Sequence, residues 1–310
     1  MERPAIFCYN RSHGAENAPE GKSGGQSSFC RLAKRSASEY RERIFEYRRS
    51  AERKQMKKQT VKLNGTAVGE GRPKICVPIT GKNRQEILAQ GMEAAASKPD
   101  LAEWRADFWE EIGDGEKAGQ ALESLAEILG AIPILFTFRS QEEGGNRKIS
   151  PEDYLNLNLW AAGRREIHLV DVEIMNPQWE GEEIVRQIHA AGKPVIGSRH
   201  YFERTPGGEE LKEAFELLAG SGADILKLAV MPRTPQDVLR LMEATMEEHE
   251  KRPQPVVTMS MGARGVISRL SGGLTGSAIT FGAAAEASAP GQLPAGKLRE
   301  ILEFLEAFQA

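Results

Sequence analysis

Lys227 stands in the middle of Asp224-Ile225-Leu226-Lys227-Leu228-Ala229-Val230, a short run apolar on both faces and stopped by Pro232. That is the pattern of a strand buried in a parallel sheet. An ammonium there loses strong hydration, so the group must be neutral, paired or covalently used. The alternatives are a frayed strand end with the amine in water, or a pair with Asp224. His200 lies in Val195-Ile196-Gly197-Ser198-Arg199-His200-Tyr201-Phe202, where a strand gives way to its loop. Of the five histidines it is the one placed to move protons near neutral pH. The others, His13, His168, His189 and His249, do not cluster as metal ligands, and Cys8, Cys30 and Cys76 have no C-x-x-C spacing. No metal site is expected.

Further charges repeat at strand spacing. Glu103, Arg105 and Asp107 alternate along Leu101–Asp107, and Asp171 and Glu173 do so along Ile167–Ile174, which puts each set on one face. Arg139 closes Phe136-Thr137-Phe138-Arg139 and is placed to bind a hydroxyl or an anion. Arg269, just past a strand ending Thr258-Met259-Ser260-Met261, is a candidate carboxylate clamp. Met259 and Met261 are core filler or apolar walls beside a reactive group. A mutually compensating ion network is the structural alternative for the charged set. An amine near an imidazole, ringed by arginines and without a nucleotide fingerprint, suggests imine chemistry. The amine condenses with a ketone, and the cationic imine then acidifies the adjacent carbon.

These residues recur within a rhythm of short apolar strand, loop and amphipathic helix that sets in after Pro73. Strands are expected near Ile75–Ile79, Leu101–Asp107, Ile134–Arg139, Ile167–Ile174, Pro194–Ser198, Asp224–Val230, Pro255–Met259 and Ser277–Phe281, with helices between them and a last one at 295–309. Eight such units in about 237 residues predict an α/β fold, a (β/α)8 TIM barrel. A doubly wound open sheet is the competitor, but no Gly-rich fingerprint follows the first strand. Residues 60–69 alternate around Asn64-Gly65 and predict a hairpin. In a barrel the strands' C-terminal ends carry the active site, which is where these polar residues fall.

The chain has 310 residues, 40% hydrophobic, with a net charge of −3, an ordinary balance for a globular protein. No run approaches a membrane span and no apolar signal core opens the chain, so a soluble cytoplasmic protein is expected. Charge is uneven: residues 1–73 hold 16 basic against 8 acidic residues, leaving 25 against 36 for the rest. Residues 1–55 read as a basic extension that buries no core, before a catalytic domain at 56–310. The extension is either a basic arm for an anionic surface or a disordered segment upstream of Met56. The second is favoured, and no nucleic-acid or membrane partner is expected.

In order along the chain, Pro73-Lys74-Ile75-Cys76-Val77-Pro78, Glu103-Trp104-Arg105-Ala106-Asp107, Phe136-Thr137-Phe138-Arg139, Asp171-Val172-Glu173, Ser198-Arg199-His200-Tyr201-Phe202, Lys227-Leu228-Ala229-Val230-Met231-Pro232, Ser260-Met261-Gly262, Ser268-Arg269-Leu270 and Ala287-Ser288-Ala289-Pro290-Gly291-Gln292 resemble type I 3-dehydroquinate dehydratase of the shikimate pathway. The resemblance covers roughly Met56 onwards. It implies dehydration of 3-dehydroquinate to 3-dehydroshikimate, with Lys227 as Schiff-base lysine, His200 as acid and base, and Glu143 orienting the histidine. It also implies that Arg269 pairs with the substrate carboxylate and that Glu103, Arg105 and Arg139 hold ring hydroxyls. Ser288 and Gln292 would close over the ring, with Met259 and Met261 as apolar walls. No cofactor and a homodimer are implied as well. One departure is Tyr201, where the family has Asp or Asn after the histidine. Another Schiff-base barrel such as a class I aldolase, and a non-catalytic binding barrel, are the competing readings.

Overall fold

The computed structural model describes residues 57–284 and 291–307. The basic extension 1–55 and Ser288 lie outside the described residues. The described chain opens with the expected hairpin, β1 (Val61–Leu63) against β2 (Thr66–Val68), antiparallel, with Val61 opposite Val68. Asn64 and Gly65 both have positive φ, 40° and 87°, as a two-residue I′ turn demands.

Eight parallel strands follow: β3 (Lys74–Ile79), β4 (Leu101–Arg105), β5 (Ile134–Thr137), β6 (Ile167–Glu173), β7 (Val195–Tyr201), β8 (Ile225–Val230), β9 (Val256–Ser260) and β10 (Ile279–Ala283). From β3 to β9 each pairs with the next in sequence, and β10 pairs back onto β3. A bridge between Val256 and Ser277, with the Ala278 N–H donating to the Val256 carbonyl at 2.8 Å, joins β9 to β10. The sheet thus curls into the expected barrel. A two-residue strand, β11 (Leu293–Pro294), adds to β10. The outer helices are α1 (Arg84–Ala96), α2 (Gly115–Leu129), α3 (Pro151–Ala162), α4 (Gly181–Ala190), α5 (Gly208–Gly220), α6 (Pro235–Lys251), the short α7 (Val266–Leu270) and α8 (Gly272–Thr275), and α9 (Ala295–Glu306). Local signals start several of them. The Ser150 hydroxyl caps α3 ahead of Pro151, and Thr234 and Asp237 form a capping box ahead of α6.

The barrel interior is layered by the two-residue period. Cys76, Leu101, Leu135, Leu169, Ile196, Ile225, Val257 and Ile279 share an apolar cluster at the N-terminal end, which Leu63 and Val68 of the hairpin plug. Two residues further along, the same strands carry Glu103, Thr137, Asp171, Ser198, Lys227, Met259 and Phe281, all buried or nearly so. The opposite strand faces, Trp104, Phe136, Val170, Leu226 and Leu228 among them, pack against the helices. Among the described residues no helix is long and apolar enough to cross a membrane, and no group of His, Cys, Asp or Glu could hold a metal ion.

Strand ends differ from the sequence expectation by two or three residues: β5 stops at Thr137 rather than Arg139, β10 runs on to Ala283, and β4 and β7 shift as well. β4 stops at Arg105, so Asp107 sits in a 3-10 turn, Ala106–Phe108, rather than on the strand face shared by Glu103 and Arg105. Its carboxylate accepts the backbone N–H groups of Arg139 (3.3 Å) and Asn146 (3.0 Å), and this ties the chain down past the strand. β7 runs on to Tyr201, so His200 is held by the sheet rather than by a loop.

Candidate active site

Lys227 is only 3% exposed. Its Nζ donates to Asp171 Oδ2 at 3.0 Å, lies 3.8 Å from Glu103 Oε1, and sits 4.7 Å from the centre of the Phe281 ring. Asp224, the alternative partner, instead faces His189 at 2.8 Å and accepts the Val195 N–H at 2.8 Å. The frayed-end and Asp224 readings of Lys227 therefore both fail.

Asp171 also accepts Arg139 Nη2 at 2.7 Å and the Ser198 hydroxyl at 2.6 Å. Burial alone would raise its pKa, but the Arg139 and Lys227 cations overcome this and hold it at about 2. Arg139 Nη1 donates to Glu173 Oε1 (3.1 Å) and to the Ser198 hydroxyl (3.0 Å). Arg139 was expected to hold a substrate hydroxyl. It reaches the cavity, but its guanidinium is also the hub that binds β6 and β7 to the end of β5. Glu173 completes the hub by accepting the Ser140 N–H at 2.8 Å and the Ser140 hydroxyl at 2.7 Å.

From Ser140 the chain makes a 3-10 turn, Gln141–Glu143, and doubles back through Gly144 at φ 81°, closed by the Gly145 N–H to the Ser140 carbonyl at 2.8 Å. The return buries Glu143 completely. A Cβ on Gly145 would lie 1.8 Å from the Arg139 carbonyl oxygen. Gly145→Ala is therefore expected to displace Glu143 and to lower turnover with little change in helix content. Full turnover by that variant would separate the loop's shape from the site.

Glu143 Oε2 receives both the His200 backbone N–H (2.9 Å) and His200 Nδ1 (3.0 Å), while Oε1 receives Arg199 Nη1 at 2.9 Å. Burial, then Arg139, Lys227, Arg105 and Arg199, hold the imidazole well below its usual range. Burial and Glu173 push the Glu143 carboxyl up, against the pull of Arg139 and Arg199. The imidazole is thus neutral near pH 7. With Glu143 ionised and accepting Nδ1–H, Nε2 is the ring nitrogen left for a reacting group.

These side chains face a cavity of about 200 Å³ at the C-terminal ends of the strands, room for one small ring. Of the expected site residues it is lined by Glu103, Arg105, Arg139, Glu143, His200, Lys227, Met259, Met261, Arg269 and Gln292, joined by Phe108, Gly144, Phe202, Ala229 and Phe281. The Arg105 guanidinium is fixed to Asp107 by bonds of 2.8 and 2.9 Å. Burial draws Arg269 down to about 10, still a cation at neutral pH. A smaller cavity of about 140 Å³ under the hairpin, between Lys58, Arg72, His249 and Gln254, shares no residue with this site.

Sequence reasoning placed Asp171, Glu173 and Ser198 on inward faces but gave them no part at the reacting centre. Their signal was the spacing that follows Leu169 and Ile196. Which of them would touch Lys227 depends on barrel closure.

The descriptive model of the type I 3-dehydroquinase family matches residues 75–309. The chain is 44% identical over 249 residues to a 3-dehydroquinate dehydratase of Bacillus licheniformis, covering 80% of this chain and 98% of that one. It is similar to the crystal structure of 3-dehydroquinate dehydratase from Geobacillus kaustophilus, with a TM-score of 0.78 and 37% identity over 81% of this chain and 98% of that one. It is also similar to the type I 3-dehydroquinate dehydratase of Clostridium difficile crystallised with covalent modified comenic acid, with a TM-score of 0.76 and 40% identity, again over 81% and 98%.

Proposed function

This chain belongs to the type I 3-dehydroquinase family and is a hydro-lyase, and from that premise we propose that it dehydrates 3-dehydroquinate to 3-dehydroshikimate through an imine on Lys227. The observation that carries the reading is the buried Lys227 amine in a cavity also lined by His200, on the neighbouring strand, and by Glu143, bonded to His200 from the turn after β5. A covalently modified ligand in the similar Clostridium difficile structure supports covalent capture.

The substrate is a cyclic β-hydroxy ketone bearing a carboxylate. The Lys227 amine adds to the ketone and water leaves, giving a protonated imine. Asp171 and Glu103 lie 3.0 and 3.8 Å from that nitrogen and balance the charge formed there. His200 Nε2 takes the proton from the carbon next to the imine, and the electron pair moves toward nitrogen as an enamine. The enamine then expels the β-hydroxyl, to which His200 returns the proton, and water regenerates the amine and releases the conjugated ketone. Glu143, through Nδ1, keeps the imidazole in the tautomer this requires.

Arg269 clamps the substrate carboxylate, Glu103, Arg105 and Arg139 meet the ring hydroxyls, and Ser288 and Gln292 close over the ring between Met259 and Met261. No dissociable cofactor is proposed. The homodimer that the resemblance implies and the cytoplasmic location expected from the sequence belong to this reading, and sedimentation equilibrium checks the first.

Incubation with 3-dehydroquinate tests the reading. The expected result is the ultraviolet band of a conjugated enone with no carbon–carbon cleavage. Cleavage products would favour an aldolase, and binding without turnover a non-catalytic barrel. Removing one charge-assisted clamp costs roughly 1.5–3 kcal/mol, so Arg269→Gln is expected to raise KM about 10- to 100-fold. An unchanged KM would take the carboxylate away from Arg269.

A further inference from the structure

We infer that Arg199, seated on the ring of Tyr201, is a positioning residue that sets the rotation and the charge of the Glu143 carboxylate beneath His200. The inference rests on the roles proposed above for His200 and Glu143.

The two oxygens of Glu143 are divided between neighbours. Oε2 takes both bonds from His200, and Oε1 takes the Arg199 bond at 2.9 Å. Arg139 approaches only at 3.6 Å, on the Oε2 side, because its guanidinium is committed to Asp171, Glu173 and Ser198. Arg199 is therefore the group that holds Oε1 and fixes the carboxylate plane so that Oε2 points at Nδ1.

Arg199 is itself held in place. Its side chain is 26% exposed, and Nη1 also lies 3.4 Å from the Met175 carbonyl. Its guanidinium carbon sits 5.1 Å from the centre of the Tyr201 ring, within cation–π range. Arg204 sits 5.7 Å from the same ring and is fixed by Glu210 with bonds of 2.8 and 2.6 Å. The Tyr201 carbonyl accepts the Met231 N–H at 2.9 Å, which anchors this end of β7 to the neighbouring strand. An aromatic face directly after the histidine thus gives the preceding arginine a platform. An acidic residue there would offer the guanidinium a competing carboxylate.

The charged groups around the pair are Arg139 from the end of β5, Asp171 and Glu173 from β6, Arg199 from β7, Lys227 from β8 and Arg105 from β4. Arg199 is a cation bonded to the pair itself, so removing it makes protonation of the Glu143–His200 unit easier. The form with Nε2 free is then lost at a higher pH.

The test measures kcat, KM and the kcat–pH profile for Arg199→Gln, Arg199→Lys, Tyr201→Ala and Tyr201→Phe, with circular dichroism to confirm folding. Arg199→Gln is expected to lower kcat roughly tenfold, to leave KM within about twofold, and to move the acid limb up by about one pH unit. Arg199→Lys keeps the charge and brings the limb back toward the parent value. Tyr201→Ala shows the displacement in weaker form, and Tyr201→Phe, which keeps the ring face, shows less of it than Tyr201→Ala. An Arg199→Gln enzyme with unchanged kcat and acid limb, or a loss confined to KM, overturns the inference. His200→Ala measured alongside separates the two layers of the argument: normal turnover there would sink the underlying reading, whereas an inactive His200→Ala beside an unaffected Arg199→Gln sinks only this one.

Discussion

Lys227→Ala is expected to lower kcat by roughly four to six orders of magnitude, the scale seen when a covalent nucleophile is deleted. Among the described residues no other amine lines the cavity to replace it. Without the imine nitrogen there is no electron sink, and the proton next to a plain ketone must leave against the full cost of an enolate. The fold is expected to survive. Asp171 keeps Arg139 at 2.7 Å and the Ser198 hydroxyl at 2.6 Å, so its carboxylate is not stranded, and the apolar layer below is untouched. Calorimetric titration with 3-dehydroquinate should still find binding through the arginines. Near-normal turnover in a folded Lys227→Ala protein would remove the amine from the mechanism.

The second large effect is on His200. Loss of a positioned acid–base group costs about 10²- to 10⁴-fold, and His200→Ala is expected in that range. It differs from Lys227→Ala in where the reaction stalls. The amine still captures the ketone, but both elimination and hydrolysis slow, so covalently bound ligand accumulates and can be counted by mass spectrometry. The pH profile carries a sign. Burial and four surrounding cations hold the His200 pKa well below 6.5, and the base form is the neutral one. His200 shares its Nδ1 proton with Glu143, whose carboxyl burial and Glu173 push up to about 8, so the acid limb of kcat in the parent enzyme is expected where that carboxyl takes up a proton, above the ordinary imidazole range. A limb centred well below 6.5 would mean that Glu143 stays ionised and that its burial beside Glu173 does not act on it as the geometry implies.

Much of this was legible in the chain. The strand-and-helix rhythm gave the barrel, Asn64-Gly65 the hairpin, and Lys227 inside an apolar run the buried amine. These signals are local, because a two-residue period or a turn dipeptide needs no partner from elsewhere. What was not legible depends on contacts across the barrel. Asp224 is three residues from Lys227 and was a plausible partner, whereas the observed one, Asp171, is 56 residues away. In the sequence Arg139 is a strand-end cation placed to bind a hydroxyl or an anion, and only closure of β5, β6 and β7 around it reveals the hub. The end of β4 was overextended because Asp107 keeps the alternating pattern in sequence while its carboxylate is drawn to the loop after β5. Arg199 gave no signal, since its bond to Glu143 spans 56 residues.

Borohydride reduction during turnover tests the central claim most directly. Hydride trapped on the imine leaves a secondary amine, so peptide mapping should find one peptide, the one containing Lys227, heavier by the mass of the captured ketone less one oxygen, with activity lost in step. A chain that turns substrate over yet carries no adduct under borohydride, or carries it on another lysine while Lys227 stays unmodified, would contradict the account.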